Sequence, residues 1–456
     1  RRHTRSLCDW SSDVCSSDLQ NMMEDNAAFV DIPMAADDET GTTKTAEKLH
    51  LRWVRVVKQV EIKEENKTGS TTNKIAPVAV ARKPTAKKVI LNSVSGEARP
   101  GEVLATMGPS GSGKTSLMSV LSGRSTYQEG PITVNGNVLD KAGMKRFMSK
   151  VAFVKQQDVF FETLTVRDQL TYTARLRLPD DVGTKKERNA RIQTEVDRII
   201  KMLRLTKVAD SPIMMCSGGE KKRVNIGTEL LTDPMVIMLD EPTSGLDSAS
   251  AVSLLNVLKD LAKNHGKTII TAIHQPSSAT FLNVFDNLLM LSDGNVVYFG
   301  TPTNSLDYLE DNGYACPNGY NAADHWMDLL VTDSSVEEER GGKSPRFYLQ
   351  KAWDNEEVAT RMDVVVDSIQ PNNSNVATKA KEDSKYVTSW WTQFTTLTSR
   401  TLKKNKMTVL APINIIKTIL LSVVVGVVYF NLSYTEKDAY NVYAYFFLVM
   451  LALNIL

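Results

Sequence analysis

The chain has 456 residues, enough for two to four domains that can each bury a core, and Lys+Arg 54 against Asp+Glu 53 leaves a formal charge of +1. With no overall field to draw it to a polyanion, nucleic acid is not expected as a partner. Its cysteines, Cys8, Cys15, Cys216 and Cys316, lie far apart without a CxxC pair, which argues against a disulfide framework or a zinc ribbon and fits a reducing compartment.

Residues 1–50 are expected to be a disordered or non-native leader. They open with a near repeat of Ser-Ser-Asp and continue acidic, Thr-rich and poor in large apolar groups. From Leu51 an alternating run predicts a strand, and a second β-rich stretch ends at residues 103–107. That strand runs into Gly108-Pro109-Ser110-Gly111-Ser112-Gly113-Lys114-Thr115, followed by a helical run from Ser116. The pattern G-x-x-x-x-G-K-[ST] between a strand and a helix is a phosphate cradle: glycines let successive backbone N–H groups approach the anion, and the helix points its positive end the same way. Lys114 would hold the β and γ phosphates of ATP, and Thr115 would ligate Mg²⁺. Helical spacing of Ile192, Val196, Ile199, Ile200 and Leu203 predicts a helical subdomain. The apolar run 235–239 ends in Asp240 and Glu241, placing Asp240 beside the metal and Glu241 beside the attacking water.

Cys216-Ser217-Gly218-Gly219-Glu220 resembles the signature motif of ABC-type ATPases. The resemblance extends to Gln156 in Phe153-Val154-Lys155-Gln156, to Ser244-Gly245-Leu246-Asp247, and to His274 in Ile273-His274-Gln275-Pro276-Ser277. Leu164-Thr165-Val166-Arg167, Leu176-Arg177-Leu178-Pro179 and Asn321-Ala322-Ala323-Asp324 are similar to the G subfamily, the White-type half transporters, over residues 50–456. Where that group commonly has Asn-Pro-Ala-Asp this chain has Asn-Ala-Ala-Asp, and no aromatic residue between Trp53 and Lys114 offers a shelf for adenine.

The resemblance implies an α/β P-loop NTPase domain of the ABC type over residues 51–330, with a helical subdomain and transmembrane helices to follow. It implies a head-to-tail homodimer, or a heterodimer with another half transporter, with ATP between the copies. In that arrangement Ser217, Gly218, Gly219, Glu220 and Asp247 of one copy meet the nucleotide held by residues 108–116 of the other. It also implies that Gln156 joins Thr115 and Asp240 at the metal, and that Glu241, His274, Gln156 and Lys114 serve hydrolysis.

Residues 331–387 read as a linker and 388–406 as a connecting helix, with Trp390, Trp391, Phe394, Leu397 and Thr401 on one face, lying at the membrane interface. Residues 407–456 are expected to begin a multi-pass membrane domain, truncated here, with spans at 411–430 and 442–456. Twenty residues at about 1.5 Å each cross a hydrocarbon core of about 30 Å. Lys403, Lys404 and Lys406 precede the first span, so the positive-inside rule puts the nucleotide domain in the cytosol. The function expected is ATP-driven transport of a hydrophobic, lipid-like substrate through the bilayer. The alternative is a soluble ABC ATPase acting in translation or DNA maintenance.

Overall fold

The computed structural model describes residues 48–62, 86–158, 160–179, 183–331, 344–355 and 387–409, with isolated helical positions between 416 and 447. The leader, most of the linker and most of the expected spans lie outside the described residues.

Two sheets form the frame. The first pairs β1 (Leu51–Ile62) with β2 (Ala86–Ala98) on one side and β4 (Ile132–Val134) on the other, antiparallel throughout, with β5 (Asn137–Val138) at its edge. The second contains β3 (Val103–Met107), β6 (Val151–Val154), β7 (Val236–Asp240), β8 (Thr268–Ala272), β9 (Asn287–Ser292) and β10 (Asn295–Gly300), in the order β10-β9-β3-β8-β7-β6. From β9 to β6 it is parallel, and β10 returns antiparallel. Every residue of β3 and β8 is buried, the continuous apolar reading of strands covered on both faces.

Helices cover this sheet: α1 (Lys114–Leu121), α2 (Lys141–Met148), α3 (Val166–Arg177), α4 (Lys185–Met202), α5 (Gly218–Leu230), α6 (Ser248–Lys263) and α7 (Ser278–Val284). The predicted helical subdomain is α3, α4 and α5. Thr165, Thr184 and Ser217 begin these three helices with the same device, a capping box closed by Asp168, Glu187 and Glu220 three residues on, so each start satisfies its otherwise unpaired backbone donors. The apolar stripe expected for α4 is buried as read, with Ile192, Val196, Ile199 and Ile200 inward.

After β10 come α8 (Pro302–Asp311), α9 (Ala322–Leu330) and α10 (Pro345–Asp354). They meet in an aromatic cluster of Tyr298, Tyr308, Trp326 and Trp353 with ring centroids 5.3 to 6.3 Å apart. The expected connecting helix is α11 (Trp390–Val409). It rests on α3 by its polar face: Lys403 pairs with Asp168 at 2.7 Å, and the Tyr172 and Ser399 hydroxyls lie 3.3 Å apart. Arg400 and Lys404 sit over the Phe161 ring at 4.6 and 4.8 Å. Its opposite face leaves Trp390, Trp391, Phe394 and Leu397 exposed.

Among the described residues no helix is long and apolar enough to cross a membrane. Within the expected first span, Ile416, Lys417, Ile419, Leu420, Ser422, Val423 and Val427 are helical and exposed.

Candidate active site

A parallel sheet delivers the loops after its strands to one edge, the carboxyl edge, and side chains far apart in sequence meet there. Here β3 leads into the glycine loop, β8 into His274, β7 into Asp240 and Glu241, and β6 into Gln156, and β3, β8, β7 and β6 are consecutive neighbours.

The glycine loop turns at Gly108, whose φ of 144° and close backing leave no room for a side chain; a Cβ there would lie 2.0 Å from the Leu291 carbonyl oxygen. Lys114, 6% exposed, curls over the loop and donates to the carbonyls of Gly108 at 2.7 Å and Pro109 at 2.9 Å. Burial lowers its pKa, and the nearby charges of Glu241 and Asp240 oppose that shift. The Ser112 hydroxyl is buried without a partner inside the loop. The loop therefore presents an ammonium, a buried hydroxyl and the N-terminus of α1 around one small space, which suits a phosphate chain.

Beside it, Thr115 donates to Asp240 Oδ1 at 3.1 Å. Burial raises the pKa of Asp240, the Thr115 hydrogen bond lowers it, Glu241 raises it and Lys114 lowers it. Gln156 Nε2 donates to Glu241 Oε2 at 2.8 Å. Glu241 itself holds a left-handed backbone, φ 46°, pinned by its N–H to the Ala272 carbonyl at 3.1 Å and its carbonyl to the Ser244 N–H at 3.2 Å. A non-glycine residue there stores strain of roughly 1 to 3 kcal/mol, kept only where the surroundings over-determine it.

A hydroxyl and a carboxylate are the hard oxygen donors that Mg²⁺ accepts, and this ion takes its remaining ligands from phosphates and water. The described residues contain no cluster of three or more His, Cys, Asp or Glu side chains fit for a metal. A phosphate-shared ion does not need one, so Thr115 and Asp240 fit Mg²⁺ in that role.

The remaining predicted residues form a second group. Ser217 caps α5, with its N–H and Oγ both on Glu220 Oε2 at 2.8 and 2.9 Å. Ser217 and Gly218 are exposed, while Gly219 is buried against Ser250 of α6. Asp247 caps α6 by accepting the Ser250 N–H at 3.0 Å, and hydrogen bonds from Ser250 depress its pKa. Among the described residues no hydrogen bond joins this group to the glycine loop. His274 is exposed, and its loop is anchored by Asn321, whose amide donates to the Pro276 carbonyl at 3.1 Å and accepts from Ser278 at 2.8 Å.

Several supporting residues are not named by any motif. Gly294, in the two-residue turn Asp293-Gly294 between β9 and β10, donates its N–H to the Ser112 carbonyl at 3.1 Å; a Cβ on it would lie 2.4 Å from the Ile90 carbonyl oxygen. An Asp-Gly pair between apolar runs was the available signal. Lys222 on α5 donates to the Gln156 carbonyl at 2.8 Å and to Asp158 at 2.9 Å.

Comparison with known proteins agrees with this arrangement. An ABC transporter family model matches residues 91–244, and an ABC-2 type transporter model matches residues 274–342, a span that here carries α7, the β9-β10 hairpin, α8 and α9. The chain is 34% identical to ABC transporter G family member 22 of Arabidopsis thaliana, over 76% of this chain and 48% of that protein. It is 34% identical to Protein white of Drosophila melanogaster, over 80% of this chain and 53% of that protein. To the broad substrate specificity ATP-binding cassette transporter ABCG2 of Mus musculus it is 36% identical, over 78% of this chain and 56% of that protein. The chain thus spans about half the length of these relatives. Its relatives across most of its length are members of the ABC transporter G family, and an ABC transporter model matches about a third of the chain.

Proposed function

We propose that this chain is the nucleotide-hydrolysing part of a half transporter in which ATP, clamped between two copies, drives a hydrophobic or lipid-like substrate across a membrane. The observation that carries the reading is the convergence of Lys114, the Thr115–Asp240 pair and the Gln156–Glu241 pair at the carboxyl edge of one parallel sheet.

With ATP bound, Lys114 leaves the carbonyls of Gly108 and Pro109 for the β and γ phosphates, while the N–H groups of residues 111–116 receive their oxygens. Thr115 and Asp240, with Gln156 beside them, would hold Mg²⁺, which would neutralise charge on the phosphates. Glu241, steadied by Gln156 through Oε2, orients a water and takes its proton as the water oxygen bonds to the γ phosphorus. The bond from that phosphorus to the β–γ bridging oxygen then breaks, leaving ADP and phosphate. His274, on the loop after β8, faces the γ phosphate. Among the described residues Ser217, Gly218, Gly219, Glu220 and Asp247 make no hydrogen bond to the glycine loop, and the reading gives them to a different nucleotide. They complete the site of the opposing copy, homologous or heterologous, where donors aimed at the transferring group stabilise its charge.

The membrane half of the reading is supported by exposure. Ile416, Ile419, Leu420, Val423 and Val427 are helical and between 56% and 72% exposed, side chains that call for apolar surroundings not found among the described residues. The stacked Trp390 and Phe394, 5.3 Å apart on the free face of α11, suit the interfacial layer, with the nucleotide domain on the cytosolic side. In membranes containing the assembled transporter, Glu241→Gln is expected to bind ATP, hold the closed dimer and release no phosphate. Phosphate release at the wild-type rate overturns the assignment, and extraction of the protein by alkaline carbonate overturns the membrane reading.

A further inference from the structure

The contact between α5 and the segment after β6 joins two parts of the site that the motifs treat separately. Lys222 lies on α5, beyond the cap at Ser217, and is buried, 3% exposed. Two of its three protons go to the Gln156 carbonyl at 2.8 Å and to Asp158 Oδ1 at 2.9 Å. Asn225, one turn on along the same face of α5, donates to that same Asp158 oxygen at 2.5 Å. One helix face therefore grips both the backbone and the carboxylate of the segment that carries Gln156.

Gln156 is thus tethered at both ends. Its amide holds Glu241, in the sheet that binds nucleotide, and its carbonyl is held by the helix whose first residues are Ser217, Gly218 and Gly219. A buried ammonium with carbonyl and carboxylate partners does not exchange them cheaply, so displacement of one end is passed to the other.

We infer that Lys222 is a positioning residue: through Gln156 and Asp158 it ties the α5 cap to the state of the nucleotide site in its own chain, so that ATP bound by one copy sets the reach of that copy's Ser217 and Gly219 into the opposing site. This rests on the dimeric ATPase reading above. The two sites of a dimer then act cooperatively because each copy's own nucleotide prepares the donors it lends.

The test is steady-state hydrolysis and nucleotide binding by the membrane-embedded dimer carrying Lys222→Met or Asp158→Asn. Affinity for the first nucleotide bound is expected to stay at the wild-type value, since neither side chain touches the glycine loop. The turnover number is expected to fall at least ~5-fold and cooperativity in ATP to disappear, a loss of the size of a typical coupling between sites. Should Lys222→Met fail to fold, Asp158→Asn carries the test. It has nearly the same shape and still accepts from Lys222 and Asn225, so it should fold, with a lowered melting temperature because the buried ammonium loses its counter-charge, while its cooperativity is reduced. Wild-type turnover and cooperativity in a folded variant overturn the inference, as does a turnover loss matched by equal loss of affinity for that first nucleotide. A wild-type dimer that hydrolyses no ATP refutes instead the reading on which the inference rests.

Discussion

Asp240 and Lys114 face each other across the phosphate space, and burial disfavours the charge on both. For Asp240 the folded pKa lies above its ordinary value of 3.8. At pH between the two, the folded carboxyl keeps a proton that the unfolded chain has released, so stability falls as pH rises through that interval. Asp240→Asn, which still accepts from Thr115, is therefore expected to raise the nucleotide-free melting temperature at pH 7. The gain should shrink as the pH is lowered toward the ordinary carboxylate range, where the wild-type group is neutral too; calorimetry across pH checks both. A gain that grows on acidification has the wrong sign for this account. Asp240 and Lys114 were legible in the sequence because phosphate chemistry dictates their types and spacing. Lys222 was not: in Glu220-Lys221-Lys222-Arg223 it reads as one of a solvated charge run, and only the fold shows that it points inward.

At the level of elements, amphipathic spacing and caps carried most of the reading. The strand ending at Met107 and the helix from Lys185 stand where the pattern puts them, and the segment 388–406 read as a connecting helix overlaps the helix Trp390–Val409. The helix α10 escaped it because ten residues between two polar stretches give too short a periodic signal, although Ser344-Pro345 is a fitting start. The hairpin between β4 and β5 carried its own mark in Asn135-Gly136. Asp168 shows how one residue serves two elements: Oδ2 closes the α3 capping box to the Thr165 N–H at 3.4 Å, and Oδ1 accepts Lys403 of α11 at 2.7 Å. Asp168→Ala keeps the Thr165 cap but removes the return bond to the Thr165 N–H and the negative charge in the first turn, and is expected to cost up to ~1 kcal/mol and also to loosen α11. Lys403→Ala should loosen α11 with a stability change under ~1 kcal/mol, as for an exposed pair. Limited trypsin digestion within 390–409 reads the loosening and chemical denaturation reads the stability. Equal destabilisation by both variants contradicts this division of labour.

For the whole molecule, the glycine loop and the α5 cap make their hydrogen bonds separately within the described chain. The proposed dimer requires them to meet between copies. Cysteines placed at Ser110 and Ser217 are expected to form an intermolecular disulfide under saturating ATP and far less without it, visible as a dimer on non-reducing gels. A crosslink confined to one chain, or one indifferent to nucleotide, excludes the sandwich.

The seating of α11 on α3 has a mechanical consequence. From the contact at Lys403 to Trp390 the helix runs about 20 Å, and the indoles of Trp390 and Trp391 at that end are exposed. A tilt of α3 by ~10° would sweep that end through ~3.5 Å, more than two residues of helix rise. The ring-bearing stripe would then plough through the headgroup layer, so small rotations within the helical subdomain would be felt as large lateral strokes at the lipid.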